Sequence, residues 1–252
     1  MELNLNGKTA LVTGGSRGIG KAIALGLRSE GVKVGICARG EKDLAEMKQT
    51  YPDVSVYQAD LTCEEERVEV FKKFIDDHGS IDILVNNAGG SNGSTIQETS
   101  IDEFRDSMEL NFHAAVQFSK LAVEKMKHNG NGSIINISSI YGRESGGKPT
   151  YNSSKSALIS FTKSLADEVI PYGIRVNGVA PGAILHPSGN WQRRLDENPE
   201  KINQFVEDEI PAGRFGKAEE VADIVTFLAS ERSNWVVGAT LNVDGGQSYS
   251  NF

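Results

Sequence analysis

Short apolar runs of the kind found in β-strands recur along the whole chain, and helical patterns lie between most of them. The runs occupy residues 9–12, 32–37, 54–58, 81–85, 133–137, 174–179 and 240–243. Parallel neighbours need crossover connections, which are usually helices, so this alternation predicts an α/β fold with a parallel sheet covered on both faces. Ligands of such sheets bind at the carboxyl ends of the strands.

The chain of 252 residues has room for one large domain or two small ones. No linker, low-complexity run or repeat divides it, so we expect a single domain over residues 1–252.

The net charge of −8 disfavours a nucleic-acid surface, because neutralising phosphates requires clustered lysine and arginine. The first twelve residues lack the basic region and long apolar core typical of a signal peptide, and no apolar run approaches the ~20 residues that span a bilayer. We expect a cytoplasmic protein that binds neither nucleic acid nor a membrane.

The four histidines are scattered, and the two cysteines, Cys37 and Cys63, form no C-x-x-C pair. Metal sites usually show short, regular ligand spacings, which are missing from this pattern. We therefore expect no metal site.

The sequence GGSRGIGKA at residues 14–22 joins the first strand to a helical pattern. Such a turn directs unpaired backbone N–H groups and the positive end of a helix towards one point, which suits a phosphate. The P-loop pattern fits as far as Lys21, but Ala22 stands where that pattern needs a Ser or Thr to bind Mg²⁺. The alternative is a dinucleotide turn with glycines at positions 14, 18 and 20.

Tyr151 and Lys155 follow the fifth strand in the motif YNSSK and share one face of a predicted helix. A tyrosine pKa near ~10 must fall by about 2 to 3 for acid–base work near neutral pH, which corresponds to roughly 3 to 4 kcal/mol. A cation about 4 Å away at an effective dielectric of ~20 supplies about 4 kcal/mol before desolvation losses. Ser139 would then hydrogen-bond a substrate carbonyl that Tyr151 protonates. Taken alone, a Y-x-x-x-K pair is more often two exposed helix residues, and a serine after a strand is usually a turn residue.

The order and spacing of these motifs resemble those of the short-chain dehydrogenase/reductase family, and the 3-oxoacyl-[acyl-carrier-protein] reductases are closely similar members. The matching features are TGxxxGxG at residues 13–20, Asp60, NNAG at 86–89, Asn111, Ser139, YxxxK at 151–155 and Pro181-Gly182. This resemblance implies one Rossmann-type, doubly wound domain of about seven strands and a nicotinamide cofactor. It also implies Tyr151 as general acid or base, with Lys155 on the nicotinamide ribose lowering the pKa of Tyr151. By the same resemblance Ser139 orients the carbonyl, and Asn111 helps to hold a water in a proton relay to Lys155.

The choice of serine stays open. Ser139 fits the family's Ser-x-x-Gly pattern at residues 139–142, but its distance to Tyr151 is one residue shorter than usual, which keeps Ser138 as the alternative.

The end of the second strand predicts the cofactor. Enzymes that bind NAD place an acidic residue there for the ribose 2′-hydroxyl, whereas this chain has Ala38 followed by Arg39, with Arg17 in the glycine turn. Two guanidinium groups suit the 2′-phosphate of NADP(H). The resemblance also places Asp60 against the adenine and the backbone of residues 87–89 beside the adenosine ribose. The expected cofactor-binding residues are Gly14, Ser16, Arg17, Gly18, Ile19, Gly20, Arg39, Asp60, Leu61, Asn87, Ala88, Gly89, Tyr151, Lys155, Pro181, Gly182 and Ile184.

Residues 183–215 are expected to form a lid over the substrate, with Trp191 and Phe205 as packing residues. His186 stands where relatives often have a threonine that contacts the nicotinamide carboxamide; either the imidazole replaces that contact or the loop takes another path. The expected mouth of the cleft is polar, with Ser91, Asn92, Arg143, Glu144, His186, Asn190 and Arg193.

The leading function is an NADPH-dependent reductase of a small polar or anionic carbonyl compound, while a β-ketoacyl group on a carrier is an alternative substrate. The same machinery working as an alcohol dehydrogenase, and a non-catalytic NADP sensor, are further alternatives. The resemblance also implies a homo-oligomer, a tetramer or a dimer, formed through helices near residues 101–128 and 150–170.

Overall fold

The computed structural model describes residues 2–251, and a seven-stranded parallel sheet forms its centre. Its strands are β1 (Thr9–Thr13), β2 (Lys33–Ala38), β3 (Ser55–Gln58), β4 (Ile83–Asn86), β5 (Gly132–Ile137), β6 (Ile174–Pro181) and, at the carboxyl-terminal end, β9 (Thr240–Val243). Each corresponds to one of the seven apolar runs, with ends displaced by at most two residues. The predicted parallel sheet is therefore confirmed.

Nine α-helices are present in residues 2–251, and most of them cover the sheet. They are α1 (Gly18–Ser29), α2 (Glu41–Thr50), α3 (Glu64–His78), α4 (Ile101–Met108), α5 (Ala114–Asn129), α6 (Pro149–Val169), α7 (Asn190–Glu197), α8 (Pro199–Glu209) and α9 (Ala218–Ala229). Helices α1, α2 and α9 pack on one face, and α3, α5 and α6 on the other. Along β1, Ala10 and Val12 point to the first face and Leu11 to the second, as a strand buried on both sides requires.

The strand order is β3-β2-β1-β4-β5-β6-β9, so the direction of progression through the sheet reverses between β1 and β4. The two strands are direct neighbours, with Val12 opposite Val85. At such a reversal the following loops diverge to opposite faces and leave a crevice at the carboxyl ends. The glycine-rich turn after β1 and the NNAGG segment after β4 lie on its two sides. The doubly wound α/β domain is confirmed.

A π-helical turn at Glu109–His113 separates α4 from α5. Ser100 caps the start of α4: its hydroxyl accepts from the Glu103 backbone N–H at 3.2 Å, and the Glu103 carboxylate accepts from the Ser100 N–H at 2.9 Å. One wider turn in a helix changes the direction of the side chains it carries and is frequent at functional sites. Here it holds Asn111, which is 1% exposed.

Two short parallel strands, β7 (Ile184–Leu185) and β8 (Gly216–Lys217), bracket the segment that contains α7 and α8. The sequence did not predict them, because two residues carry too little periodicity. They hold the two ends of the expected lid side by side. Among the described residues no helix is long and apolar enough to cross a membrane.

Candidate active site

The glycine-rich turn forms a cradle at the start of α1. Gly14 has a φ of +65°, in the left-handed region, and a β-carbon on Gly20 would collide with the carbonyl oxygen of Gly14 and the side-chain amide of Asn87. No side chain caps the amino terminus of α1, and its first turn holds no acidic residue. The open backbone donors and the positive helix end therefore fit the diphosphate of a dinucleotide.

Thr13 and Asn87 tie the ends of β1 and β4 together beneath this cradle. The Thr13 hydroxyl accepts from the backbone N–H groups of Asn87 and Ala88, both at 3.0 Å. The Asn87 amide donates back to the carbonyls of Thr13 at 2.9 Å and Gly14 at 3.1 Å. Sequence reasoning treated Thr13 only as part of a pattern. The sequence does carry a signal for this role: Thr13 has a hydroxyl group and stands at the last position of the strand, directly before the glycine-rich turn.

A buried polar network supports the carboxyl ends of β4 and β5. The Asn86 amide donates to Asn136 Oδ1 at 2.8 Å and to the Ser119 hydroxyl at 3.0 Å. The Asn136 amide donates to the Thr162 hydroxyl at 2.9 Å. These bonds connect two strands with α5 and α6, so α6, which carries Tyr151 and Lys155, is fixed against the sheet. Sequence reasoning did not identify this network.

Tyr151 and Lys155 lie side by side on α6, as their spacing predicted, and both line the cleft above the sheet. Lys155 Nζ is 5.6 Å from the centre of the Tyr151 ring and donates to the Ile137 carbonyl at 2.8 Å. The Lys155 side chain is deeply buried, and burial lowers its pKa to about 8. One backbone carbonyl from β5 therefore holds the ammonium beside the phenol ring.

The pKa of Tyr151 differs from the sequence-based expectation. Burial raises it, and a hydrogen bond with the Ser139 side chain acts in the opposite direction. The cost of burying the phenolate is the larger effect, so the lowering expected from Lys155 is not seen in the net shift. Tyr151 consequently carries its proton at neutral pH, which is the form that a general acid needs.

The two candidate serines have different surroundings. The Ser138 hydroxyl donates to the Lys155 backbone carbonyl at 3.2 Å and is buried between β5 and α6. The Ser139 hydroxyl caps the short 3₁₀ turn at Ile140–Gly142 by accepting from the Tyr141 N–H at 3.1 Å, and it also interacts with Tyr151. Both serines line the cleft, and Ser139 is the one that interacts with the Tyr151 side chain.

Asn111 lies behind the cleft wall. Its amide nitrogen donates to the carbonyls of Gly90 at 2.9 Å and Ser107 at 2.9 Å, and its Oδ1 accepts from the Gly90 N–H at 3.0 Å. A β-carbon on Gly89 would lie 2.6 Å from Asn111 Oδ1 and 3.2 Å from Lys155 Nζ. Asn111 thus positions the loop after β4 next to Lys155, and its part in a water relay stays a prediction.

One cleft of about 2070 Å³ brings most of the predicted cofactor-binding residues together. Those lining it are Gly14, Ser16, Arg17, Gly18, Ile19, Gly20, Arg39, Leu61, Asn87, Ala88, Gly89, Tyr151, Lys155, Pro181, Gly182 and Ile184. Asp60 is outside this lining: its carboxylate accepts from Thr62 N–H at 3.0 Å and lies 4.0 Å from the Arg39 guanidinium. Its expected adenine contact stays a prediction.

The substrate side is only partly as expected. Ser91, Asn190, Arg193 and His186 line the cleft. Three other polar residues predicted for its mouth bind backbone instead: Asn92 donates to the Glu103 carbonyl, Arg143 to the Thr240 carbonyl, and Glu144 accepts from the Tyr249 N–H. The α7–α8 segment adds an aromatic stack.

The aromatic stack packs α7 onto α8 and the segment that follows. Trp191 stacks on Phe205 with ring centres 4.6 Å apart and approaches Phe215 at 5.3 Å. Trp191 and Phe205 are packing residues, as predicted, and they also face the cleft.

The carboxyl-terminal residues hold two loops of the cleft. Gln247 Oε1 accepts from the Ala183 N–H at 2.8 Å, directly after the Pro181-Gly182 pair. The Ser248 hydroxyl donates to the Glu144 carboxylate at 3.1 Å, in the loop after β5. The loops that follow β5 and β6 are therefore joined through one short segment.

Comparison with known proteins gives matches over nearly the whole chain. A short-chain dehydrogenase family model described as enoyl-(acyl carrier protein) reductase matches residues 14–248. The 3-oxoacyl-[acyl-carrier-protein] reductase FabG of Vibrio cholerae is 37% identical over 97% of this chain and 98% of its own length. The acetoacetyl-CoA reductase of Shinella zoogloeoides is 35% identical over 96% and 99%. The crystal structure of L-sorbose reductase from Gluconobacter frateurii, complexed with NADPH and L-sorbose, aligns with a TM-score of 0.92 at 34% identity, covering 99% of this chain and 100% of that one.

Proposed function

The chain belongs to the short-chain dehydrogenase/reductase family and is an NAD(P)-dependent oxidoreductase of that family, and we propose that it reduces a ketone to a secondary alcohol with NADPH. The observation that carries this proposal is the convergence of Tyr151, Lys155 and Ser139 in the cleft that also contains the glycine cradle. An acid, a cation and a second hydrogen-bond donor there can stabilise a carbonyl oxygen as it gains negative charge.

Each residue has a chemical role in this reaction. When bound, a reduced nicotinamide would supply the hydride that the carbonyl carbon receives. Tyr151 gives up its phenolic proton to the carbonyl oxygen, so the C=O double bond becomes a C–O single bond as a new C–H bond and a new O–H bond form. The Ser139 hydroxyl donates a hydrogen bond to the same oxygen, and the Lys155 ammonium stabilises the phenolate that remains. The raised pKa of Tyr151 keeps the phenol protonated for reduction.

NADP(H) is the proposed cofactor, supported by the groups at the end of β2. Ala38 and Arg39 line this part of the cleft, and Arg17 lines it from the glycine turn; the carboxylate in this part of the lining, Asp43, belongs to the first turn of α2. Arg39 makes only a distant ion pair, at 4.0 Å from Asp60, and its side chain is 63% exposed. Its guanidinium is therefore available to a 2′-phosphate.

Replacing Arg39 by alanine is expected to raise the KM for NADPH by about tenfold and to leave that for NADH nearly unchanged, because only NADPH has the 2′-phosphate. Steady-state kinetics of the wild type and the variant with both cofactors measure this. The wild type should favour NADPH in kcat/KM by at least about tenfold. A wild-type preference for NADH would refute the cofactor assignment.

Single alanine substitutions separate the two serines. We expect Ser139→Ala to lower kcat by about 100-fold, because it removes a donor to the carbonyl oxygen. Ser138→Ala should instead lower the melting temperature slightly and keep most of the activity, because the Ser138 hydroxyl is hydrogen-bonded to the Lys155 backbone carbonyl. If Ser138→Ala is the variant with the greater loss of kcat, the roles are reversed.

The substrate is proposed to be a small polar ketone, such as a keto-sugar or keto acid. Lys148, Asn152, Arg194, Lys201 and Gln204 line the cleft on the substrate side, and the L-sorbose reductase of Gluconobacter frateurii was crystallised with a keto-sugar. The relatives that reduce 3-oxoacyl carriers and acetoacetyl-CoA favour a β-ketoacyl thioester as the second candidate.

A substrate panel tests the function. NADPH oxidation would be followed with keto-sugars, keto acids and a β-ketoacyl thioester, and NADP⁺ reduction with the matching alcohols. Keto-sugars or keto acids should give the highest kcat/KM. Turnover of the thioester alone would select the second candidate, and NADPH binding without turnover of any substrate would favour a sensor.

We further propose a cytoplasmic homo-oligomer, a dimer or tetramer, formed through α4, α5 and α6. Ile101 at the start of α4 is 65% exposed, and Phe112 and Phe161 form a partly exposed aromatic pair on adjoining helices. Apolar groups on one surface suit a symmetric interface. Light scattering of the purified protein and cell fractionation test these two points, and a monomer in solution would refute the first.

A further inference from the structure

His186 lies directly over the phosphate cradle. A β-carbon placed on Gly18, the first residue of α1, would be 2.7 Å from the Cε1 atom of His186 and 2.9 Å from its Nε2. The ring therefore packs against the Cα of Gly18, where the helix donors open into the cleft. The loop after β6 thus places residue 186 against the glycine turn.

Local contacts hold the imidazole in this place. The Ser188 hydroxyl lies 3.3 Å from His186 Nδ1. On the other side, a β-carbon on Gly189 would be 2.9 Å from Cε1 of the ring. The ring is half-buried between the glycine turn and the start of the lid. Because Nδ1 has a neighbour in its own loop, Nε2 is the atom left to face a ligand in the cradle.

The charged groups around the ring favour an anion. Burial lowers the pKa of His186, and the charge of Arg17, from the glycine turn, lowers it further. The same cleft is lined by Arg193 and Arg194 from α7, and by Lys201, Asp208 and Glu209 from α8. A diphosphate in the cradle would place negative charge between the α1 amino terminus, Arg17 and His186.

We propose that His186 is a diphosphate-binding residue, whose Nε2–H donates to the dinucleotide in its protonated form, so that cofactor binding takes up a proton. This assignment rests on the proposed nicotinamide cofactor and adds a contact beyond it. The His186 ring binds the diphosphate through opposite charges and makes no hydrogen bond to the nicotinamide carboxamide.

The direction of the pH effect follows from linkage. Without ligand, the lowered pKa leaves His186 neutral at neutral pH. A bound anion raises the pKa of the same ring, so the protonated protein binds the anion more tightly. Affinity should therefore rise as the pH falls through the pKa values of the bound and then the free protein. Burial lowers the pKa of Lys155 to about 8, so this ammonium stays protonated in an acidic range.

Isothermal titration calorimetry with NADH and with ADP-ribose tests this inference without turnover. Neither ligand has a 2′-phosphate, whose own ionisation near ~6 would interfere. For the wild type, we expect the Kd of both ligands to fall about tenfold between about pH 7.5 and about pH 5.5. Repeating the titration in buffers with different ionisation enthalpies should show uptake of a fraction of one proton near neutral pH.

His186→Gln keeps a hydrogen-bonding side chain of similar size but cannot take up a proton in this range. Its Kd should change by less than about twofold over the same interval. His128→Gln is the matched control, because His128 is exposed at the end of α5, outside the cleft lining, and should behave as the wild type. A melting curve for each variant verifies folding, and proton uptake by the wild type needs no variant.

The outcomes separate this inference from the proposed function. Equal pH dependence in the wild type and His186→Gln, or an effect seen with NADH and lost with ADP-ribose, would overturn the diphosphate contact. The second result would assign the ring to the nicotinamide end. Failure of the wild type to bind NADH, ADP-ribose and NADPH would refute the cofactor site itself.

Discussion

The Tyr151→Phe variant is expected to lose about 10³-fold in kcat while it binds NADPH within about threefold of the wild type. The substitution removes the proton that the carbonyl oxygen must receive and leaves the aromatic ring in place. Lys155 keeps its hydrogen bond to the Ile137 carbonyl, so the structure of the cleft around Lys155 should not change. Single-turnover absorbance of NADPH measures the chemical step, and fluorescence titration measures cofactor binding.

Tyr172→Phe is the matched control, because it removes a phenol hydroxyl from an exposed ring outside the cleft. It should leave kcat unchanged. In the wild type, reduction should slow as the pH rises through the pKa of Tyr151, because the general acid loses its proton, while the reverse oxidation gains a base. Undiminished turnover by Tyr151→Phe would mean that another group supplies the proton.

The Gly20→Ala variant is expected to raise the Kd for NADPH by at least about 100-fold, which corresponds to about 3 kcal/mol. The added methyl group would collide with the Gly14 carbonyl and the Asn87 amide, so the cradle must open and its donors must turn away from the phosphate. Overpacking should also reduce the free energy of unfolding by about 2 kcal/mol. Fluorescence titration and urea unfolding measure the two effects.

Gly26→Ala provides a control in the same helix. A β-carbon there would lie 3.2 Å from the Thr226 hydroxyl on α9, remote from the cradle. The contact is tight, but alanine favours a helix, so stability should change by no more than about 1 kcal/mol. NADPH affinity should not change. Equal loss of affinity in both variants would show that helix α1 as a whole, rather than the cradle, was disturbed.

The sheet was predictable from sequence because its strands are buried on both faces and appear as continuous apolar runs. The pair Tyr151 and Lys155 was predictable for a similar reason, since a spacing of four fixes a common helix face. The pair β7 and β8 was not, because two-residue strands arise from tertiary packing of the loop after β6. Local sequence patterns therefore predicted the sheet and the pair Tyr151 and Lys155.

Properties that depend on contacts with residues distant in sequence were harder to predict from the sequence. The raised pKa of Tyr151 comes from burial, which a spacing does not report. Asn92, Arg143 and Glu144 were expected at the cleft mouth as polar loop residues, but each satisfies a backbone group there. Polarity in a loop does not distinguish a side chain that binds a ligand from one that holds the backbone.

The short carboxyl-terminal brace formed by Gln247 and Ser248 has an evolutionary consequence. Because it supports two loops around the substrate at once, one mutation there can reshape the entrance while the proton donor and its lysine stay intact. We expect laboratory selection for activity on unfamiliar ketones to enrich changes at residues 244–249. Substrate selectivity would then change while the catalytic residues stay the same, so a new specificity need not begin with a loss of catalytic rate.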